Sequence, residues 1–391
     1  MSQSYLLINL SGVDQPGISA SLIGQIEKFN CNVVDIGQSL TYGLLSLSLV
    51  IEPPAKEHLS ELKNSLEIMA KKQNLIADIK EIEPPILEEK NSEKYIISCV
   101  SSKGITPSFL SHLTSLLADK DINIERINNV SKDKLVSLDI HTSPKKDSFN
   151  WDNLKAELIS ISNEHFIDLA MIKDDLWRTN KRLIVFDMDS TLIRSEVIVE
   201  MAKVHGVGDK VHAITEQAMN GEIDFDESLT KRVSLLKGMK KNQLDHILKN
   251  IQLTEGVEEF IIKVKELGYK TAIISGGFNY FADAFKNRLG LDYAFSNELE
   301  VKNEILTGKI KGPIVNAEKK AILLELLAQQ ENVKLEQVVA IGDGANDLKM
   351  LAKAGLGIAF HAKDIVKKSA KQQMSHGPMT SILYFLGINQ E

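Results

Sequence analysis

Apolar positions in the first part of the chain switch between two periods. The run 5–10 reads as a short buried strand, and Ile18, Leu22, Ile23, Ile26 and Phe29 then recur at helical spacing. Segments 32–38 and 44–51 are rich in strand formers. Leu59, Leu62, Leu66 and Met69 restore the helical period, and segment 75–79 closes the set as a strand. The order β-α-β-β-α-β returns about 90 residues later. Its second copy has strands at 95–100, 122–127, 135–140 and 167–172, a helical stripe of Phe109, Leu110, Leu113, Leu116 and Leu117, and a helix over 151–161. This split pattern predicts two ferredoxin-like βαββαβ domains, at 1–83 and 93–174. The stretch between them, with paired prolines and several charges, reads as a linker.

Beyond Asp174 the pattern changes. Segments 183–186, 272–274 and 338–341 are apolar without alternation, as expected of strands buried on both faces in a parallel sheet. They are followed by Asp187, by Ser275-Gly276-Gly277 and by Gly342-Asp343-Gly344. Ligands of open α/β sheets bind beyond such carboxyl ends, so distant segments aim polar groups at one edge. The fold class expected for 181–391 is therefore α/β, a doubly wound parallel sheet. A helical insertion at about 196–253, with Asp224 as a candidate N-cap, is placed to close over a substrate.

Composition narrows the function. The 391 residues are 43% hydrophobic and 25% charged, which excludes disorder. A net charge of -7, from 53 acidic against 46 basic residues, argues against a sequence-independent nucleic-acid grip. Cys31 and Cys99 have neither metal-binding nor redox spacing. The start lacks a basic, apolar leader and no run has the length of a membrane span, so no membrane partner and a cytoplasmic location are expected.

The candidate chemistry centres on Asp187-Met188-Asp189-Ser190-Thr191-Leu192. Two carboxylates two residues apart at a strand end can face one site as nucleophile and acid–base group. A carboxylate approaching a phosphate ester meets a repulsion of about 4 kcal/mol at 4 Å and an effective dielectric of 20. Magnesium and cationic side chains would offset it. Gly342-Asp343-Gly344-Ala345-Asn346-Asp347 supplies hard oxygen ligands, Ser275-Gly276-Gly277 offers hydroxyl and backbone donors, and Lys319 or Lys320 provides a fixed charge.

These segments, in this order, resemble the motifs of the haloacid dehalogenase superfamily. Residues 181–387 are similar to its phosphoserine phosphatases, through the run 181–192, Ile214-Thr215-Glu216-Gln217-Ala218-Met219, the stretch 341–347 and Ala354-Gly355-Leu356-Gly357-Ile358-Ala359. The resemblance implies Asp187 as the nucleophile and Asp189 as the general acid and base. It implies Mg2+ held by the Asp187 and Asp343 carboxylates and the Asp189 carbonyl, and phosphate bound by Ser275, Gly276 and Lys320, with Asn346 and Asp347 supporting. Lys320 is preferred to Lys319 because Lys320-Ala321 matches the family pattern. In the cap, Glu196 and Arg232 match the readers of the amino acid's ammonium and carboxylate, and Met219 and Phe225 the residues that close over it. The family usually has Asp where Val199 stands.

Ser11-Gly12-Val13-Asp14-Gln15-Pro16-Gly17 resembles the ligand-binding turn of ACT domains, which sense amino acids, so Asp14 and Gly17 are candidate regulatory-ligand residues. Pro16 suits a helix start. The second copy, Ser102-Lys103-Gly104-Ile105-Thr106-Pro107-Ser108, lacks the Asp-x-Pro-Gly core. The resemblance implies phosphoserine hydrolysis, the last step of serine biosynthesis, with L-serine as allosteric ligand and a homodimer. The alternatives are another phosphatase or phosphotransferase of the superfamily, and an amino-acid-sensing regulator with a vestigial phosphatase domain.

Overall fold

Both copies of the six-element pattern form four-stranded antiparallel sheets with the same strand order. The computed structural model describes residues 5–53, 58–83, 93–131, 134–145, 149–219 and 222–388. It divides into two compact units, Met1–Lys90 and Asn91–Glu391.

The first unit contains β1 (Tyr5–Val13), α1 (Ile18–Lys28), β2 (Asn32–Thr41), β3 (Leu44–Glu52), α2 (Leu59–Lys72) and β4 (Ile76–Ile82), with strand order β2-β3-β1-β4. Leu6, Ile8 and Leu10 of β1 are buried and their neighbours are not, the alternation of a sheet with one covered face. They pack with Ile18, Leu22 and Ile26 of α1 and Leu62 and Leu66 of α2. Gly17 is the N-cap of α1 at φ 98°, so Pro16 sits outside the helix rather than at its first position.

The second unit opens with β5 (Tyr95–Val100), α3 (Pro107–Asp119), β6 (Ile122–Asn129), β7 (Ser137–Pro144), α4 (Asp152–His165) and β8 (Asp168–Lys173), in the order β6-β7-β5-β8. Here the sheet is covered on both faces. Leu138 and Ile140 of β7 pack with Phe109, Leu113 and Leu158, whereas Val100, Ala170 and Ile172 join a core that includes Leu383 and Leu386 near the carboxyl end. Buried Asp139 pairs with Arg178 at 2.5 Å. Asp168 accepts the backbone N–H groups of Ser375 (2.6 Å) and Gly377 (2.9 Å). This copy is thus built into the parallel-sheet domain.

That domain comprises β9 (Leu183–Phe186), cap helices α5 (Val197–His205), α6 (Gly208–Met219), α7 (Phe225–Ser234) and α8 (Lys241–Asn250), then α9 (Val257–Glu266) and β10 (Lys270–Phe278). There follow α10 (Asn279–Leu289), β11 (Tyr293–Lys302), β12 (Ile305–Lys311), α11 (Ala317–Gln330) and β13 (Val338–Gly342). The chain ends in α12 (Leu348–Lys353), β14 (Leu356–Phe360), α13 (Asp364–Ser369), β15 (Gln372–Met374) and α14 (Ile382–Phe385). The seven strands lie in the order β12-β11-β10-β9-β13-β14-β15, parallel except for the β11–β12 hairpin. Order reverses beside β9, which is where such sheets bind ligands. Leu183 and Val185 face a layer with Leu324 and Met350; Ile184 and Phe186 face the opposite one with Phe260 and Phe281. Successive side chains of a strand point to opposite faces, so continuous burial of β9 gives a helix-covered sheet. Asp224 caps α7 by accepting the Glu227 N–H at 2.8 Å, as its position implies. The strand expected at 272–274 runs on through Ser275-Gly276-Gly277 to Phe278, with a register shift after Ile274. Among the described residues no helix is long and apolar enough to cross a membrane.

Candidate active site

Asp187 leaves β9 with its N–H donated to the Ile341 carbonyl of β13 at 2.8 Å, so the central strand pairing sets it beside Asp343. Helix α11 brings Lys320 in from the side. Its N-cap Asn316 accepts the Lys319 N–H at 3.1 Å, and Lys320 in the first turn is fully buried while Lys319 stays half-buried. The Lys320 Nζ lies 2.8 Å from Asp187 Oδ1 and 2.6 Å from Asp347 Oδ1. Asp347 is further held by the Gly344 N–H at 2.9 Å, and a Cβ on Gly342 would come within 2.6 Å of its carboxyl group. Asp343 Oδ1 accepts the Thr191 hydroxyl at 3.0 Å.

The carboxylates of Asp187, Asp343 and Asp347 each place an oxygen within 4.8 Å of the others, against the single buried ammonium. Burial pushes Asp187 up to about 6, Asp347 adding to the rise and Lys320 opposing it. Burial, then Asp187 and Asp347, push half-buried Asp343 up to about 8. Burial disfavours the Lys320 ammonium, but Asp187 and Asp347 outweigh it and raise its pKa. Asp187 Oδ1 is buried against the Lys320 ammonium. Hard oxygen donors, with three clustered carboxylates set against one ammonium, fit a divalent cation.

Asp189 faces the cap. Its Oδ1 accepts the Val197 N–H at the start of α5 at 3.0 Å. A Cβ on Gly277 would fall 2.8 Å from Asp189 Oδ2, so glycine is what lets β10 pass this close. Asp189 keeps some solvent contact but is walled in on most sides, and burial followed by Asp187 raises its pKa well above the carboxylate norm. Ser275 Oγ accepts the Gly277 N–H at 2.9 Å, and Asn297 ties this end of β10 to the segment before α11, donating to Gly276 O at 2.7 Å and accepting from Val315 N at 2.8 Å.

The model of haloacid dehalogenase-like hydrolases matches residues 181–355, and that of the ACT domain matches residues 4–80. The chain is 50% identical over 225 residues to the phosphoserine phosphatase of Archaeoglobus fulgidus, covering 58% of this chain and 65% of that one. It is 34% identical over 388 residues to the phosphoserine phosphatase of Streptomyces coelicolor, covering 99% of this chain and 93% of the relative. The chain belongs to the phosphoserine phosphatase family. A crystal structure of a probable phosphoserine phosphatase from Vibrio cholerae, unliganded, superposes with a TM-score of 0.60 at 34% identity, over 78% of this chain and 88% of that one.

The cap residues singled out by resemblance to phosphoserine phosphatases divide into placed and unplaced. A Cβ on Gly276 would stand 3.1 Å from the Phe225 ring and 3.6 Å from Asn346 Nδ2, so cap and core close on that glycine. Half-buried Glu196 is the N-cap of α5. Arg232 is buried on α7; its Nε donates to Ser228 O at 3.3 Å, and its other guanidinium nitrogens have no hydrogen-bond partner among the described residues. Burial lowers its pKa, while the charges of Glu196 and Asp189 act the other way. The side chain of Met219 lies outside the described residues. Val199, at the family's Asp position, packs against the apolar core.

In the first unit Asp14 and Gly17 are exposed. Nothing lies within 4 Å of a Cβ built on Gly17, so its φ of 98°, and not crowding, is what asks for glycine. The sequence motifs assign no role to Thr191, and they include neither Asn297 nor the link between Asn316 and Asp226. In that link Asn316 Nδ2 donates to both carboxylate oxygens of Asp226 on cap helix α7 at 3.1 Å. Asn316 had a readable signal, an N-cap residue just before a helix.

Proposed function

We propose that this chain hydrolyses O-phospho-L-serine to L-serine and phosphate through a phosphorylated Asp187. A carboxylate oxygen of Asp187 attacks phosphorus and the P–O bond to serine breaks, while Asp189 gives its proton to the departing oxygen. Asp189 then takes a proton from water as the water oxygen attacks phosphorus. The Asp187–phosphoryl bond breaks, phosphate leaves and both aspartates return to their starting forms. Lys320 holds a fixed charge beside the attacking oxygen, and Ser275, Gly276 and Asn346 are assigned to the phosphate. Magnesium would be held by the Asp187 and Asp343 carboxylates and the Asp189 carbonyl, and when bound it supplies positive charge to the phosphoryl oxygens.

The observation that carries the choice of substrate is buried Arg232, with guanidinium nitrogens unpaired among the described residues and the opposite charge of Glu196 acting on it. A guanidinium takes the serine carboxylate by two hydrogen bonds and a glutamate accepts from its ammonium. The test is phosphate release from a panel of monoesters with magnesium, for wild type and Arg232→Ala. Phosphoserine is expected to lead the panel and to lose roughly 100-fold or more in Arg232→Ala, while a phosphate ester without a carboxylate changes little. Equal losses on both would give Arg232 to the scaffold or the phosphate.

The ACT-like first unit supports regulation by L-serine bound near Asp14 and Gly17, in a cytoplasmic homodimer. Serine acts only through different affinities for active and inactive arrangements, with a coupling of about 1–3 kcal/mol.

A further inference from the structure

We propose that His112, Glu164 and His165 form a binding site for a zinc-type divalent metal on the outer helices of the second ferredoxin-like domain. His112 projects from α3, and Glu164 and His165 are the last residues of α4. His112 Nδ1 stands 3.3 Å from His165 Nε2. Glu164 Oε2 is 3.6 Å from His112 Nδ1, and its Oε1 is 3.9 Å from His165 Nε2. Two nitrogens bound at about 2.0–2.1 Å to a tetrahedral ion are themselves about 3.3 Å apart. The nitrogen pair therefore already spans one edge of a zinc tetrahedron, while the carboxylate stands outside the third vertex with a different oxygen nearest each imidazole and closes on the ion by a side-chain rotation.

The surroundings fit a cation. The imidazole of His165 is only 13% exposed and is held edge-on by Phe109, with ring centroids 5.7 Å apart. Its carrier helix ends there, at Phe166 in the left-handed region, so the negative end of the helix dipole faces the site. The His112 and Glu164 side chains are 47% and 60% exposed, leaving a fourth position open to water or a small ligand. Two imidazoles and a carboxylate select zinc, cobalt or nickel over magnesium, whereas the Asp187 cluster is all oxygen. The sites share no residue. Metal bound here would tie α3 to α4 and stabilise the domain without entering the phosphatase reaction.

The test uses the full chain in saturating magnesium, so that the carboxylate cluster is filled by a hard cation. Cobalt(II) is titrated in and the visible absorption of a four-coordinate ion is followed. The wild type is expected to take up one equivalent, released by zinc, and zinc is expected to raise its melting temperature. His112→Ala, at an exposed position, is expected to abolish the cobalt spectrum and the zinc-induced shift, and Glu164→Gln to weaken cobalt binding tenfold or more. Phosphatase activity with magnesium is expected to stay at the wild-type level in both. A wild type that binds no cobalt would overturn the proposal and leave a plain hydrogen-bonded histidine pair. A cobalt spectrum that survives in His112→Ala would equally overturn it, by placing the metal elsewhere.

Discussion

The ammonium of Lys320 lies 2.8 Å from the carboxylate of Asp187, with the lysine side chain fully buried. A second acid, Asp347, shares that lysine at 2.6 Å. One fixed cation thus serves both the proposed nucleophile and the residue that anchors the Gly342–Gly344 turn.

This sharing makes the two partners unequal in stability. Lys320→Ala leaves buried Asp347 without its counter-ion and is expected to cost about 3–5 kcal/mol. Asp187→Asn leaves the Lys320–Asp347 pair intact and removes one of three crowded acids, so its melting temperature should match or exceed the wild type in metal-free buffer. Thermal melts of both variants check this. Equal destabilisation would mean Lys320 is not the hub.

Metal stabilisation should depend on pH in a set direction. The folded values near 6 for Asp187 and near 8 for Asp343 lie above the unfolded value of about 3.9, so the metal-free folded state holds extra protons in between. Its stability from these groups is present below about pH 4 and is lost as pH rises toward 8. A divalent cation must displace those protons. The rise in melting temperature with magnesium is expected to be larger at about pH 8.5 than at about pH 5.5. A larger gain at the acid end would contradict the assignment of these carboxylates as ligands.

Asn316 joins the cap to the catalytic core, because one side chain both caps α11 and donates to Asp226. Asn316→Ser keeps a good N-cap but is too short to hold Asp226. Asp226→Ala removes the same contact from the other side. Each should reduce kcat/KM for phosphoserine by roughly tenfold, the worth of a hydrogen bond to a charged group, with little change in melting temperature. The double variant should be no worse than either single one. Additive losses would show that the two residues act separately.

Much of this was legible in the residues themselves. The repeat showed because apolar periodicity survives in both copies, and the active edge showed because three buried runs each end in acids or glycines. The covering of the second sheet was hidden. Asp139 and Asp168 look like solvated strand aspartates, yet they pair with Arg178 and with backbone N–H groups at residues 375–377, more than 200 residues from Asp168. Periodicity reports which face is apolar and says nothing about a face of mixed polar and apolar residues buried by distant partners. The hairpin of β11 and β12 escaped for a related reason: its strands are largely half-buried and mix apolar residues with lysine and glutamate, which blurs the apolar signal. The left-handed torsion of Gly17, at φ 98°, is a further feature that apolar periodicity does not report.

The central claim is that Asp187 carries the phosphoryl group during turnover. It is tested most directly by acid-quenching the full chain within its first turnovers of phosphate-labelled phosphoserine with magnesium, then mapping the label by peptide mass spectrometry. The account predicts a labelled, acid-stable but base-labile acyl phosphate on Asp187, absent from Asp187→Asn along with a fall in turnover of roughly 10⁴-fold or more. Label on another residue, or an Asp187→Asn variant that still turns over, would contradict it.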